Sequence, residues 1–208
     1  MTHPLPTQMR AIEITKPGGP EVLRPGQRPV PVPAAGEVLI EVASAGVNRP
    51  DVLQRKGAYA PPPGASDLPG LEVAGTIVQL AADVRGWKIG DEVCALVAGG
   101  GYAQYVAAPA TQCLPVPIGL TLEQAASLPE TFFTVWVNVF ERAGLNNDEP
   151  LLVQGVSSGI GIPAIHMARP LGTRGCGPAG TAPNCAPCAQ RGPPRARTYR
   201  PQHYAAAP

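Results

Sequence analysis

The chain has 208 residues, 44% hydrophobic and 15% charged, with 16 Lys and Arg against 15 Asp and Glu for a formal net charge of +1. That length holds one large or two modest domains with a core. Near-neutral charge gives no footprint for nucleic acid, and no apolar run reaches membrane-spanning length, so neither is expected as a partner.

Residues 1–8 form a leader without the basic start and apolar block of a secretory signal. The chain has five cysteines, an odd number, and they are scattered and late, which argues against a disulfide framework. A cytoplasmic setting is expected. Met9-Arg10-Ala11-Ile12-Glu13-Ile14 alternates as a strand does, and Lys16 to Pro20 is a turn. The stretch 24–36 is rich in Pro and Gly and reads as irregular. Gly36 to Val42 gives a second strand with Val38, Ile40 and Val42 on one face. A loop over 45–49 then leads to a short helix or turn at 50–56.

The prolines of 57–69 exclude regular structure there. Gly70 to Leu80 resumes the strand pattern. Val84 to Val97 is a turn and then a strand, Gly99-Gly100-Gly101 is a tight bend, and Tyr102 to Val106 is another short strand. Several short strands with glycine turns predict a small barrel. Thr121 and Gln124 have the spacing of a capping box at a helix start. The spacing predicts a further helix over 131–142, closed by Gly144.

Residues 151–169 bring an apolar strand into a small-residue turn, Gln154-Gly155-Val156-Ser157-Ser158-Gly159-Ile160-Gly161, and then into an apolar helix. A parallel sheet presents a helix N-terminus to a phosphate in this way. The spacing is Gly155-x-x-x-Gly159-x-Gly161, not G-x-G-x-x-G, so the same turn also fits glycines that serve packing alone. In the helix, Ile162, Ile165 and Ala168/Arg169 share a side, and Pro163 sits in the first turn, where a missing donor is tolerated. His166 reads as an exposed or structural residue.

Composition breaks after this helix. Residues 1–170 carry all 15 acidic residues and 11 of the 16 Lys and Arg. Residues 171–208 carry five arginines, no acid and seven prolines. No Leu, Ile, Val, Phe, Met or Trp follows Leu171, so the segment 172–208 is expected to be irregular and to supply no further strand.

In order, the motifs are Gly46-Val47-Asn48-Arg49-Pro50-Asp51, Arg55-x-Gly57-x-Tyr59-x-Pro61-Pro62-Pro63, Pro69-Gly70-Leu71-Glu72-x-Ala74-Gly75, Gly90-Asp91-x-Val93 and Gly100-Gly101-Tyr102-Ala103. Ala125-Ala126-x-Leu128-Pro129, Thr134-x-Trp136 and Ser157-Ser158-Gly159-Ile160-Gly161 follow. Together, from about residue 9 to 171, they resemble the zinc-independent quinone oxidoreductase branch of the medium-chain dehydrogenase/reductase superfamily. The resemblance implies a mixed fold: a GroES-like β-barrel catalytic lobe over 1–125, then the start of an α/β Rossmann domain over 126–171. Zinc-dependent members carry Cys where Asn48 stands and His where Leu71 stands, so no metal is expected. The late pair Cys185-x-x-Cys188 is half a metal site at most.

The resemblance also implies the chemistry: hydride transfer from NADPH to a quinone, the oxyanion taking a proton from a donor or water. Asn48 is expected beside the nicotinamide and the acceptor, with Asp51 fixing its loop. Tyr59 borders the pocket as a donor, or wedges its loop in place. Thr134 is a donor at the nicotinamide end, or a helix-packing hydroxyl. Ser157, Ser158, Gly159, Ile160 and Gly161 hold the pyrophosphate. Relatives preferring NADPH carry a Gly-Ser-x-x-Lys segment and a later Asn-Tyr-Arg. Here Thr181, Tyr199 and Arg200 stand as remnants of a 2′-phosphate site, and no acid is present to bind the ribose hydroxyl of NADH.

A Rossmann domain needs about six strands, and this sequence supplies one convincing strand with its helix. The resemblance therefore reads as truncated or altered after 171, and the product is expected to be poorly folded there and weakly active or inactive. An intact member is expected to be a homodimer through its nucleotide domain, an interface whose strands are missing here. Two other readings stay open: an enoyl or alkene reductase with the same hydride chemistry, and an inactive fragment with a non-enzymatic role.

Overall fold

The computed structural model describes residues 4–179 and 195–198. The chain divides into two units after Glu130, and each is taken by itself.

The first unit is the barrel-like β lobe. β1 (Gln8–Ile14) pairs antiparallel with β2 (Leu23–Pro29). β2 corrects the expectation of irregular chain over 24–29, whereas 30–36 is irregular as expected. Its prolines are compatible with a ladder because Pro25 faces Ile12, whose N–H donates the other way, to Tyr102 O at 2.8 Å. Pro25 and Pro29 thus fall at positions where no ladder donor is needed. A five-stranded antiparallel sheet holds β3 (Glu37–Ala45), β4 (Glu72–Leu80), β5 (Glu92–Leu96), β6 (Tyr105–Pro109) and β7 (Cys113–Pro115), in the order β6-β3-β4-β5-β7. Bonds from Ile12 N to Tyr102 O and from Gln104 N to Arg10 O tie the hairpin to the chain entering β6.

Strand alternation decides which residues are core. Val38, Ile40, Val73, Ile77, Val93, Ala95 and Val106 point to one side and form the main cluster, with Val42 packed against it. The opposite side of β4 and β5 carries small residues, Ala74 and Cys94. α2 (Leu122–Ala125) packs there through Ala125 and Ala126. The predicted capping box is present: Gln124 N donates to Thr121 Oγ1 at 3.3 Å and Thr121 N to Gln124 Oε1 at 3.0 Å. The proline-rich loop over 57–69 is irregular, as expected, and is anchored at its end. Leu68 is buried with Met9 and Ala11, and Arg28 on β2 bridges Glu13 and Asp67 at 2.6 and 2.8 Å.

At the boundary, α3 (Pro129–Val135) continues as a π-helical stretch, Trp136–Arg142, so the single α-helix expected over 131–142 is corrected to two helical forms. The wider winding shows in Ala143 N donating to Asn138 O at 3.1 Å. Gly144 closes it at φ +64°.

In the second unit, β8 (Pro150–Leu152) leads through a turn to α4 (Gly161–Ala168). The buried stripe of α4 is Gly161, Ala164, Ile165 and Ala168. Ile162 lies outside it at 36% exposure, which corrects the expectation that it shares a side with Ile165 and Ala168. His166 is exposed. β9 (Arg174–Ala179) pairs parallel with β8, and β10 (Arg195–Thr198) parallel with β9. This corrects the expectation that 172–208 supplies no strand. A ladder is built from backbone N–H and C=O groups, which do not require the apolar side chains missing there. No described helix is long and apolar enough to cross a membrane.

Candidate functional site

Asn48 sits at the junction of β3 and α1 (Arg49–Arg55), where extended backbone becomes helix. Asp51, three residues on, accepts the Asn48 backbone N–H on Oδ2 at 2.7 Å, a capping interaction that fixes the loop. The same carboxylate accepts Gly70 N at 3.1 Å on Oδ1 and the Tyr102 hydroxyl at 3.1 Å on Oδ2. Asp51 is only 5% exposed, so its charge is carried by these three donors. The side chain of Asn48 completes the capping box by facing the Asp51 backbone N–H, and its Nδ2 donates to Glu72 Oε1 at 2.7 Å.

Glu72 opens β4 on the side that also carries Ala74, and it is 2% exposed. Its second oxygen accepts the backbone N–H of Glu130 at 2.9 Å. Gly46 makes room for this carboxylate. A Cβ at 46 would fall on Oε1 and within 2.5 Å of Cδ. Burial pushes the Glu72 carboxyl upward, the two donors pull it back, and Asp51 raises it again. Burial likewise raises Glu130, with Glu72 and Asp51 adding to it. The Tyr102 phenol is held well above its ordinary range by burial and by Asp51, so it stays a neutral donor. Among the described residues no group of three or more His, Cys, Asp or Glu is placed to hold a metal ion.

In the second unit, the turn between β8 and α4 exposes Ser157, Ser158, Gly159 and Ile160 and buries Val156. Ser158 N donates to Gly155 O at 2.8 Å, and Gly161 N to Ser158 Oγ at 3.0 Å, so this serine caps the helix start. Gly161 is where the turn crosses itself: a Cβ would come within 2.5 Å of Gly155 O and 2.7 Å of Val156 Cα. At Gly159 a Cβ would meet nothing within 4 Å, so the outer side of the turn is open.

Of the residues singled out from sequence, Asn48 and Tyr59 belong to the first unit and stand at opposite ends of α1. Tyr59 is 39% exposed on the irregular loop. Thr134 and the turn over 157–161 belong to the second unit. Thr134 is half-buried near the end of α3, and its carbonyl accepts Asn138 Nδ2 at 2.8 Å. Thr181, Tyr199 and Arg200 lie outside the described residues. Sequence reasoning missed Glu72 and Tyr102 as partners of the Asn48 loop. The available signal was a carboxylate at the head of a largely apolar strand.

Residues 34–118 match the alcohol dehydrogenase GroES-like domain. Quinone oxidoreductase of Mus musculus is 38% identical over 175 residues, covering 83% of this chain and 53% of that protein. The crystal structure of Escherichia coli quinone oxidoreductase complexed with NADPH is 30% identical, with a TM-score of 0.77, over 92% of this chain and 59% of that one. The crystal structure of CurK enoyl reductase, at 24% identity and a TM-score of 0.84 over 96% of this chain and 62% of that one, shares the fold. The chain spans about half the length of the curated relatives it matches. On these likenesses the chain belongs, over the span that they cover, to the medium-chain dehydrogenase/reductase superfamily.

Proposed function

We propose that this chain is the acceptor lobe and the beginning of the cofactor domain of an NADPH-dependent oxidoreductase that reduces a quinone without a metal, in a cytoplasmic setting. The observation that carries the reading is the Asn48 amide held on the buried Glu72. In zinc-dependent relatives the corresponding positions are a thiolate and an imidazole. Here they are an amide committed to a carboxylate and, at Leu71, a buried alkyl chain. Neither an amide nor an alkyl chain replaces the thiolate and imidazole that zinc takes at those two positions.

The turn over 155–161 fits the pyrophosphate of a dinucleotide: its outer residues are exposed, the space over Gly159 is open, and the N-terminus of α4 favours an anion. Ser157, Ser158, Gly159, Ile160 and Gly161 would hold that group. Asn48 and Thr134 would hold the nicotinamide end, with Tyr59 at the acceptor. NADPH, when bound, supplies the hydride, and the reduced quinone oxygen takes its proton from a hydroxyl or water. The protein's part is orientation: Asp51 and Glu72 fix Asn48 before any ligand arrives.

The test is direct. The purified chain is titrated with NADPH and with NADH, and then given a simple benzoquinone or a conjugated enone with and without a chelator. The expected result is saturable NADPH binding tighter than that of NADH, with quinone-dependent oxidation that the chelator does not change. Absence of nicotinamide-cofactor binding would overturn the proposal. Turnover of the enone alone would replace quinone reduction by alkene reduction, for which the CurK likeness supports the fold only.

A further inference from the structure

Glu130 is the residue at which the first unit ends, in the first turn of α3. Its backbone N–H donates to Glu72 Oε2 at 2.9 Å, a bond that ties the start of α3 to β4. The titratable groups around this bond are acids. Asp51 of α1 acts on Glu72, and Glu72 and Asp51 both act on Glu130. Tyr102, with its hydroxyl on Asp51, and the Cys94 thiol of β5 complete the set. α2 packs on this side through Ala125, Ala126 and Leu122. No ion pair among the described residues includes Asp51, Glu72 or Glu130.

Three carboxylates so close, without a cation, are costly to charge together. Their donors decide which one keeps a proton. Asp51 accepts three hydrogen bonds and Glu72 accepts two, which favours the charged form of both. Glu130 is half-buried, and burial and both neighbouring charges oppose its ionisation. The start of a helix favours a negative charge. At α3 that preference is already met by Glu72, which takes the Glu130 N–H. The partners also differ in freedom. Glu72 is 2% exposed, bonded to Asn48 at 2.7 Å and closed in against Gly46. A charge on Glu130 therefore displaces Glu130, not Glu72.

We propose that Glu72 and Glu130 form a pH-operated latch. With Glu130 protonated, its N–H stays on the Glu72 carboxylate and the first turn of α3 is held on β4. Ionisation of Glu130 sets charge against a fixed charge and releases that turn. The proton belongs to the closed form, so the latch is closed below the Glu130 titration and opens as pH rises through it. The latch needs no ligand.

The test follows the Glu130 amide of the full chain by nitrogen–proton spectroscopy. The expected result is one titration step above the ordinary glutamate value of about 4.3. Above the step this amide is expected to exchange about tenfold faster than hydroxide catalysis alone predicts, the equivalent of one hydrogen bond lost. Glu130→Gln keeps the neutral form and is expected to abolish the step, with the amide protected on both sides of it. Glu72→Gln removes the charge that Glu130 meets and is expected to move the Glu130 titration down toward the ordinary value. A step that persists in Glu130→Gln, or a Glu130 titration unmoved in Glu72→Gln, overturns the proposal. The unmodified chain decides even where a variant fails to fold: a Glu130 carboxyl carbon that titrates at or below the ordinary value also overturns it.

Discussion

Gly46→Ala tests whether the Glu72 carboxylate is as confined as its surroundings imply. The added Cβ would fall on Oε1 and lie within 2.5 Å of Cδ and 2.6 Å of Cγ. Contacts between carbon atoms are comfortable at about 3.5–4.0 Å, so the overlap is about 1 Å. Elsewhere a glutamate would swing away. Here the carboxylate is 2% exposed and accepts from Asn48 and Glu130. Moving it forfeits hydrogen bonds to a buried charge, about 1.5–3 kcal/mol each. Keeping it forces backbone shifts at about 1–3 kcal/mol. The cheaper route sets the loss, and alanine recovers up to about 1 kcal/mol by restricting the unfolded chain. The expected net loss is therefore about 1–2 kcal/mol. In a Glu72→Ala background the offending atoms are gone, and Gly46→Ala is expected to be neutral or slightly stabilising. Urea unfolding followed by Trp87 fluorescence, with the other tryptophan, Trp136, changed to Phe, reads the four corners of the cycle. Equal losses in both backgrounds, within about 0.5 kcal/mol, would refute the argument.

The same cluster gives a pH dependence. Burial raises the Glu72 and Glu130 carboxyls in the folded chain, so the folded state holds protons that the unfolded state has released, and stability falls as pH rises through and just above the ordinary glutamate value of about 4.3. The stability of Glu72→Gln relative to wild type is therefore expected to increase over that window, and a flat or falling difference in urea midpoints would contradict it. In the glycine turn, Gly161→Ala meets the backbone atoms of Gly155 and Val156 and is expected to cost about 1–3 kcal/mol in unfolding measurements. Gly159→Ala meets nothing within 4 Å. It is expected to leave stability within about 0.5 kcal/mol while weakening NADPH binding, and unchanged binding would count against the pyrophosphate placement. Cys94 and Cys113 are 0% and 6% exposed, and burial pushes both thiols up, Cys113 to about 12. Neither is expected to alkylate at neutral pH before unfolding, which peptide mass mapping checks.

The β lobe was legible where alternation is strong. Val38, Ile40 and Val42 on one face of β3, and the capping box at Thr121 and Gln124, follow from spacing alone, and the structure places both as expected. β2 was not legible, because proline counts against a strand until the hydrogen-bonding direction of its partner is known. That direction is set by Ile12 bonding to Tyr102, a residue ninety positions away in the chain. The helix after Pro129 was legible as a helix, but its change to π winding at Trp136 leaves no mark in an apolar pattern. In α4 Ile165 and Ala168 are buried together as their spacing implies, and Ile162 alone departs from that side. Gly161 and Ala164 are buried where larger Ile162 is not, because the turn that precedes the helix lies across Gly161.

The site divides in the same way. The glycine turn is contiguous, so its strand, turn and helix stand in the sequence as they stand in the fold. The Asn48 environment is assembled from four places in the chain. Its key pair, Asn48 and Glu72, is separated by 24 positions. Each partner alone is weak evidence: a polar residue at a helix start is ordinary capping, and a glutamate at the head of a strand is ordinarily solvated. What joins them is the register of β3 on β4, which pairs Ala45 with Val73 and continues with Gly46 N on Glu72 O at 3.2 Å. That register carries Gly46 over the carboxylate and leaves Asn48 one side-chain length away. A glycine that leaves a strand and a carboxylate that enters the next are therefore one feature, and only the pairing of the strands makes it so. Shifting that register by one residue would turn Glu72 to the side of Val73 and Val93, into the main apolar cluster without either of its donors. The carboxylate that orients Asn48 thus also selects the strand register that creates the site.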